Sequence, residues 1–105
     1  MKQNKKSNMK SIFIVYNQAH TEKVEHILVA LGINGYTQWT DMKGRGSRGG
    51  APHLGTHTWP EINSATLTIV DDEQVQKVLD AVKRMDEINT DVGARAFVWD
   101  ITASV

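Results

Sequence analysis

Two stretches of this chain carry the same hydrophobic rhythm, and a 21-residue segment rich in glycine separates them. Ser11 to Tyr16 (SIFIVY) is a β-branched and aromatic run, dense enough to be a strand covered on at least one face. Within Thr21 to Leu31, the residues Val24, Ile27, Leu28 and Leu31 recur at i, i+3, i+4 and i+7, with Glu22, Lys23, Glu25 and His26 on the other side. That spacing predicts an amphipathic helix. Gly32 then falls where a left-handed residue commonly closes a helix. Tyr36 to Met42 (YTQWTDM) mixes aromatics and threonines as a second strand. The pattern returns after the glycine-rich segment. Ala65 to Val70 alternates Thr66 and Thr68 with Leu67 and Ile69. Asp71 and Gln74 resemble a capping box ahead of Val75, Val78, Leu79 and Val82. Arg95 to Ile101 (RAFVWDI) sets Phe97, Trp99 and Ile101 on one side of a fourth strand.

A β-α-β unit used twice predicts an α+β, ferredoxin-like βαββαβ sandwich: a four-stranded antiparallel sheet with both helices on one face. The expected domain runs over residues 11–105. Its other sheet face is left bare, with apolar side chains of strand one and one row of strand four upon it. Large exposed apolar patches mark interfaces, and a chain of 105 residues hides only about two-thirds of its unfolded surface alone. The expectation is a homo-oligomer packed through its sheets, with Trp39 and Trp99 in the core or at that interface.

Composition narrows the function. The chain has no cysteine, which excludes thiolate zinc sites, iron–sulfur clusters, disulfide scaffolds and a Cys nucleophile. The longest apolar run, Ile12 to Tyr16, is far short of the ~18 residues of a membrane span or the ~7–15 of a signal-peptide core. A cytoplasmic protein without membrane insertion is expected. Twelve basic and twelve acidic side chains cancel, but Lys2, Lys5, Lys6 and Lys10 fall in the first ten residues without an acid among them. Residues 1–10 read as a disordered basic extension, with Met9 as a possible natural start. The remaining domain is net acidic, which disfavours a nucleic-acid-backbone binder.

The segment from Lys43 to Asn63 holds five of the eight glycines, both prolines and two of the four histidines. Connections this long are usually functional or disordered, and Leu54, Trp59 and Ile62 have little use in a merely solvated linker. Lys43 to Gly50 (KGRGSRGG) gathers three cations among glycines, a generic anion cradle that lacks the end of a P-loop and a following helix. His53 and His57 are candidate ligands for a divalent transition metal, with Glu61 or a neighbouring subunit completing the site. Pro52, Gly55 and Pro60 argue against a helix that would aim both rings together, so loop hydrogen bonding competes as an explanation. His20 and His26 read as solvated, and Asp71, Asp72 and Glu73 as helix-start residues. No nucleophile–base set or paired general acid and base is readable, so an enzyme is not expected.

Leu31-Gly32-Ile33-Asn34-Gly35-Tyr36-Thr37, running on to Asp41-Met42-Lys43-Gly44-Arg45-Gly46, resembles the helix exit, second strand and loop base of the P-II nitrogen-regulatory signalling proteins. The resemblance follows the order of elements from Ser11 to Ile101. It implies a homotrimer of ferredoxin-like subunits with effectors in the clefts between them and a long T-loop reaching a partner protein. It places Thr37, Gly44 and Gly46 beside an adenine nucleotide, and Arg95 where the family's B-loop has a phosphate-facing lysine. Arg45, Arg48 and Arg95 are then candidates for contacting an anionic effector. The chain departs from the family in reading Asn89-Thr90-Asp91-Val92-Gly93-Ala94-Arg95 where a Gly-Lys-x-Gly-Asp-Gly-Lys turn is usual. The modified loop tyrosine is missing, Ser47 and Arg48 stand in place of the magnesium-site glutamine, and the sequence stops at Val105 before an arginine-bearing tail. The missing tyrosine and glutamine make classical nitrogen sensing an unexpected role. Pro52 to Pro60 (PHLGTHTWP) is similar to short-loop PII-like proteins that accompany heavy-metal efflux, which implies a transporter or efflux component as partner. The alternative is a CutA-like divalent-metal-binding or metal-tolerance protein that uses His53 and His57.

Overall fold

The computed structural model describes residues 8–44 and 61–105. Its elements are β1 (Met9–Asn17), α1 (Thr21–Ala30), β2 (Thr37–Gly44), β3 (Glu61–Asp71), α2 (Asp72–Ile88) and β4 (Arg95–Asp100), with single 3-10 turns at Gln18–His20 and Thr90–Val92. The strands form one sheet in the order β2-β3-β1-β4, and each neighbouring pair is antiparallel. This is the βαββαβ ferredoxin-like sandwich expected from the repeated pattern.

Local rules explain the ends of the helices. Gly32 adopts φ +81°, and its N–H donates to Val29 O at 2.9 Å while that of Ile33 reaches Leu28 O at 2.9 Å. This pairing closes the last turn of α1 and seats Ile33 against Leu28 in the core. At the start of α2, the Asp71 N–H donates to Gln74 Oε1 at 3.4 Å, as the capping-box spacing predicts.

Element boundaries differ from expectation where pairing decides them. β1 begins at Met9, inside the predicted extension, because Lys10 pairs with both Val70 and Asp100 and its ammonium lies 2.8 Å from Asp100 and 3.8 Å from Asp72. Lys43 and Gly44 pair with Ile62 and Glu61, so the connection after β2 spans 45–60 rather than 43–63. Ile101 lies beyond β4, although its N–H still reaches Met9 O at 3.3 Å.

The core lies between the sheet and the two helices. Ile12, Ile14 and Tyr16 of β1 pack with Val24 and Leu28 of α1 and Val78, Val82 and Met85 of α2, with Val92 buried beside them. β3 supplies hydroxyls to this face: Ser64, Thr66 and Thr68 are all buried. A buried hydroxyl is tolerated only when paired, and each of these is. Thr66 Oγ1 meets the Tyr16 hydroxyl at 2.8 Å, and Thr68 Oγ1 donates to Gly35 O at 2.7 Å. Thr21 Oγ1 donates its one hydrogen to Gln18 O at 2.7 Å, so Ser64 Oγ is the donor to Thr21 at 2.8 Å.

With Ser64, Thr66 and Thr68 turned inward beside Val70, Leu67 and Ile69 of β3 face the other way. Ile69 is 45% exposed, and Trp39, Phe97 and Trp99 are 43, 55 and 49% exposed. Phe13 lies between the tryptophans, its ring centroid 6.2 Å from Trp39 and 6.3 Å from Trp99. Small residues make this approach possible. Ala65 sits in register between Val15 and Trp39, and Ser11 between Ile69 and Trp99. The aromatic row of β4 is thus on the bare face, and Trp39 and Trp99 are outside the subunit core.

Two stability predictions follow from these contacts. Gly32→Ala places a β-carbon at φ +81° and should lower unfolding stability by about 1–2 kcal/mol, read as a shifted urea midpoint with unchanged slope. Burial raises the Tyr16 phenol above its ordinary pKa of 10.0, against the hydrogen bonds to Thr66 and Gln38. The fold therefore favours the neutral phenol, and its contribution is intact below pH 10.0 and lost as pH rises further, because the unfolded chain ionises first. Tyr16→Phe should cost about 1–2 kcal/mol at neutral pH by orphaning Thr66, yet flatten the alkaline fall in stability. The slope that comes from Lys10, whose hydrogen bond to Asp100 raises its own pKa, should remain.

Candidate functional site

The residues singled out in the sequence fall at the two edges of the sheet. Thr37 opens β2 opposite Leu67, and Gly44 ends it opposite Glu61. Arg95 opens β4 opposite Val15. Since β2 and β4 are the outer strands, three inter-strand spacings, about 14 Å, separate Arg95 from the strand that carries Thr37 and Gly44. One subunit does not bring them together. Arg45, Gly46 and Arg48, with the metal candidates His53 and His57, lie outside the described residues. Among the described residues there is no cluster of three or more His, Asp or Glu able to hold a metal ion.

β2 reaches the loop through a bulge that sequence reasoning missed. Its register shifts between Trp39 and Met42, where Asp41 takes φ +57°, a backbone that Asp tolerates better than most residues. The Gln18 side chain grips this point twice: its Oε1 accepts from the Asp41 N–H and its Nε2 donates to Asp41 Oδ1 at 3.0 Å. Beyond the bulge, a β-carbon at Gly44 would run into the Asn63 side-chain amide. A larger residue at the loop base would therefore require the Asn63 side chain to move aside. Gln18 lies far from Asp41 in sequence and follows no motif, so only the fold reveals the pair.

The opposite edge is shaped by the turn from α2 to β4. Asn89 Oδ1 accepts from the Asp91 N–H at 3.0 Å, the Val92 N–H donates to Asn89 O at 3.0 Å and the Gly93 N–H to Thr90 O at 3.1 Å. Gly93 adopts φ +57°, and Val92 is fully buried beneath the turn. Asp86, in the last turn of α2, reaches forward so that Oδ1 accepts from the Ala94 N–H at 3.0 Å. Its Oδ2 lies 3.4 Å from Arg95 Nη1, which also donates to Ala94 O at 2.7 Å. The Arg95 side chain is 62% exposed, so this cation is presented at the edge yet partly neutralised. His20, expected to be solvated, is instead 17% exposed with Nε2 3.3 Å from Asp91 Oδ2. That pair ties the two 3-10 turns at one end of the sheet.

The comparisons agree with this arrangement of elements. The chain matches the family described as nitrogen regulatory protein P-II over residues 9–105. No curated protein matches it in sequence. Among solved structures it is similar to CPII, a nitrogen regulatory PII-like protein from Thiomonas intermedia K12. CPII bound to ADP, AMP and bicarbonate superposes with a TM-score of 0.71 at 24% identity, covering 92% of this chain and 93% of that one. CPII bound to ADP and bicarbonate gives 0.68 at 26% identity, covering 89% and 85%. The GlnK–ATP complex of B. subtilis gives 0.69 at 18% identity, covering 97% and 89%. The match over 9–105, on a sheet of order β2-β3-β1-β4, decides the family: the chain belongs to the nitrogen regulatory P-II proteins.

Proposed function

We propose that this chain is the subunit of a homotrimeric P-II-type regulator. It binds an adenine nucleotide in the crevices between subunits and signals to a partner protein, a transporter or efflux component, through residues 45–60. The observation that carries the reading is the inverted alternation of β3. A strand that faces water on one side puts hydroxyls there and aliphatics toward its core. Here Ser64, Thr66 and Thr68 are buried while Ile69 is half exposed beside Trp39, Phe97 and Trp99. Such a surface is built to be covered, and copies of the same chain would bury it on every subunit at once.

The edge placement supports the same assembly. Arg95 and the Thr37–Gly44 strand stand on opposite edges of each sheet, so sheets packed against one another can set the β4 edge of one copy beside the β2 edge of the next. An effector in that crevice would touch Arg95 from one side and the loop base from the other. It signals by differential affinity: contacts formed in only one arrangement of the loop base shift the population toward that arrangement, and equal affinity for both would signal nothing. The structures of CPII with ADP and AMP and of GlnK with ATP support an adenine nucleotide as the effector class.

Size-exclusion chromatography with light scattering should return the mass of three chains. The double change Phe97→Asp and Trp99→Asp, which puts charge on the bare face and leaves the helix-side core untouched, should give monomers. A monomeric wild type at micromolar concentration would overturn the assembly. Thermal unfolding with AMP, ADP, ATP and cyclic AMP should show stabilisation by at least one of them. Arg95→Ala should weaken that ligand by about tenfold or more, the worth of a charge-assisted hydrogen bond; a flat response to all four leaves the fold standing and removes the nucleotide.

A further inference from the structure

We propose that Asp86 sets the charge of the effector accepted at the α2–β4 turn, so that this edge takes a nucleoside mono- or diphosphate in preference to a triphosphate. The inference rests on the nucleotide reading above and goes beyond it to name the phosphate length and the residue that chooses it.

The first reason is the commitment of the turn's amides. A chain of phosphates is usually cradled by consecutive backbone N–H groups left open in a glycine-rich nest. Here the N–H groups of Asn89, Asp91, Val92, Gly93 and Ala94 each donate within the protein: to Met85 O, Asn89 Oδ1, Asn89 O, Thr90 O and Asp86 Oδ1. Gly93 is the one glycine of the turn, and its φ of +57° serves the fold. Opening these five amides to a ligand would break the turn that Val92 plugs into the core, so no nest of consecutive free N–H groups is offered from Asp91 to Ala94 and the Arg95 side chain is the cationic donor of this turn.

The second reason is charge. Asp86 Oδ2 stands 3.4 Å from Arg95 Nη1, so an anion that meets Arg95 also meets a carboxylate nearby. That carboxylate is not free to swing away, because its other oxygen holds the N–H of Ala94, a buried residue. Repulsion from Asp86 grows with each added phosphate, while at this turn Arg95 is already shared with that carboxylate, so on this side of the crevice the balance tips against the longer chain. The pairing also fixes the guanidinium against the turn, through Nη1 to Ala94 O at 2.7 Å, which makes Asp86 a positioning residue as well as an opposing charge.

Isothermal titration of the intact protein with AMP, ADP and ATP, at one ionic strength and without magnesium, separates these roles. The wild type should bind AMP or ADP more tightly than ATP. Asp86→Asn keeps an oxygen for the Ala94 N–H and removes the charge. Because ATP carries about two more negative charges than AMP, the ATP-to-AMP affinity ratio should rise about fivefold in this variant. Asp86→Ala loses the amide partner too, and should weaken all three ligands. An unchanged ratio in Asp86→Asn, or a wild type that prefers ATP, would overturn the role of Asp86 while leaving nucleotide binding in place. A wild type that binds none of the three would instead remove the nucleotide reading itself, and this inference with it. If Asp86→Asn does not fold, Asp86→Ser, which removes the charge and leaves a small polar group, makes the same comparison of the ATP-to-AMP ratio with the same readings.

Discussion

The row of hydroxyls on β3 is what the rest of the molecule is arranged around. Ser64, Thr66 and Thr68 occupy the helix-facing side of a central strand, where an unpaired hydroxyl would cost about 1–3 kcal/mol. Each hydroxyl is therefore tied to a different part of the chain: Thr21 at the head of α1, Tyr16 at the end of β1, and Gly35 just ahead of β2. These three ties set how the first half of the chain lies on the second. They also fix the phase of β3, and a strand has only two faces. Turning the hydroxyls inward turns Leu67 and Ile69 outward, where they join Phe13, Trp39, Phe97 and Trp99 in one apolar surface.

From that phase follows a division of labour across the sheet. One face is closed by the helices, and the other carries the exposed apolar surface that the proposed assembly would cover. The edges bear the groups suited to a small anion, Arg95 on β4 and the loop base on β2, and no single copy unites them. In the proposed assembly a ligand that touches two copies would alter how they meet, and the bulge at Asp41, gripped by Gln18, lies on β2 between Thr37 and the loop base.

Periodicity made the elements legible because it depends on local geometry alone. The i, i+3, i+4 spacing of Val24, Ile27 and Leu28, the glycine after Leu31 and the Asp71–Gln74 box each report conditions met within a few residues. The family resemblance was legible for a similar reason, since Leu31 to Gly46 is one continuous stretch. What escaped were pairings across the chain. Gln18 with Asp41, His20 with Asp91 and Asp86 with Ala94 and Arg95 join residues whose nearness exists only after folding, and none carries a motif. The metal reading of His53 and His57 and the cradle of Arg45, Gly46 and Arg48 lie outside the described residues, so the candidate site was legible as a set of residue types rather than as an arrangement.

By itself, the sequence determined the number and order of strands and helices, the position of the long connection and the duplication that implies a ferredoxin-like sandwich, because hydrophobic spacing and capping act at short range. Tertiary structure decided which side of β3 faces the helices, which edge holds Arg95 and how the turn before it spends its amides. Alternation states that a strand has two unlike faces but not which one is inside. That choice falls to the partners available for three buried hydroxyls, which only the folded chain supplies.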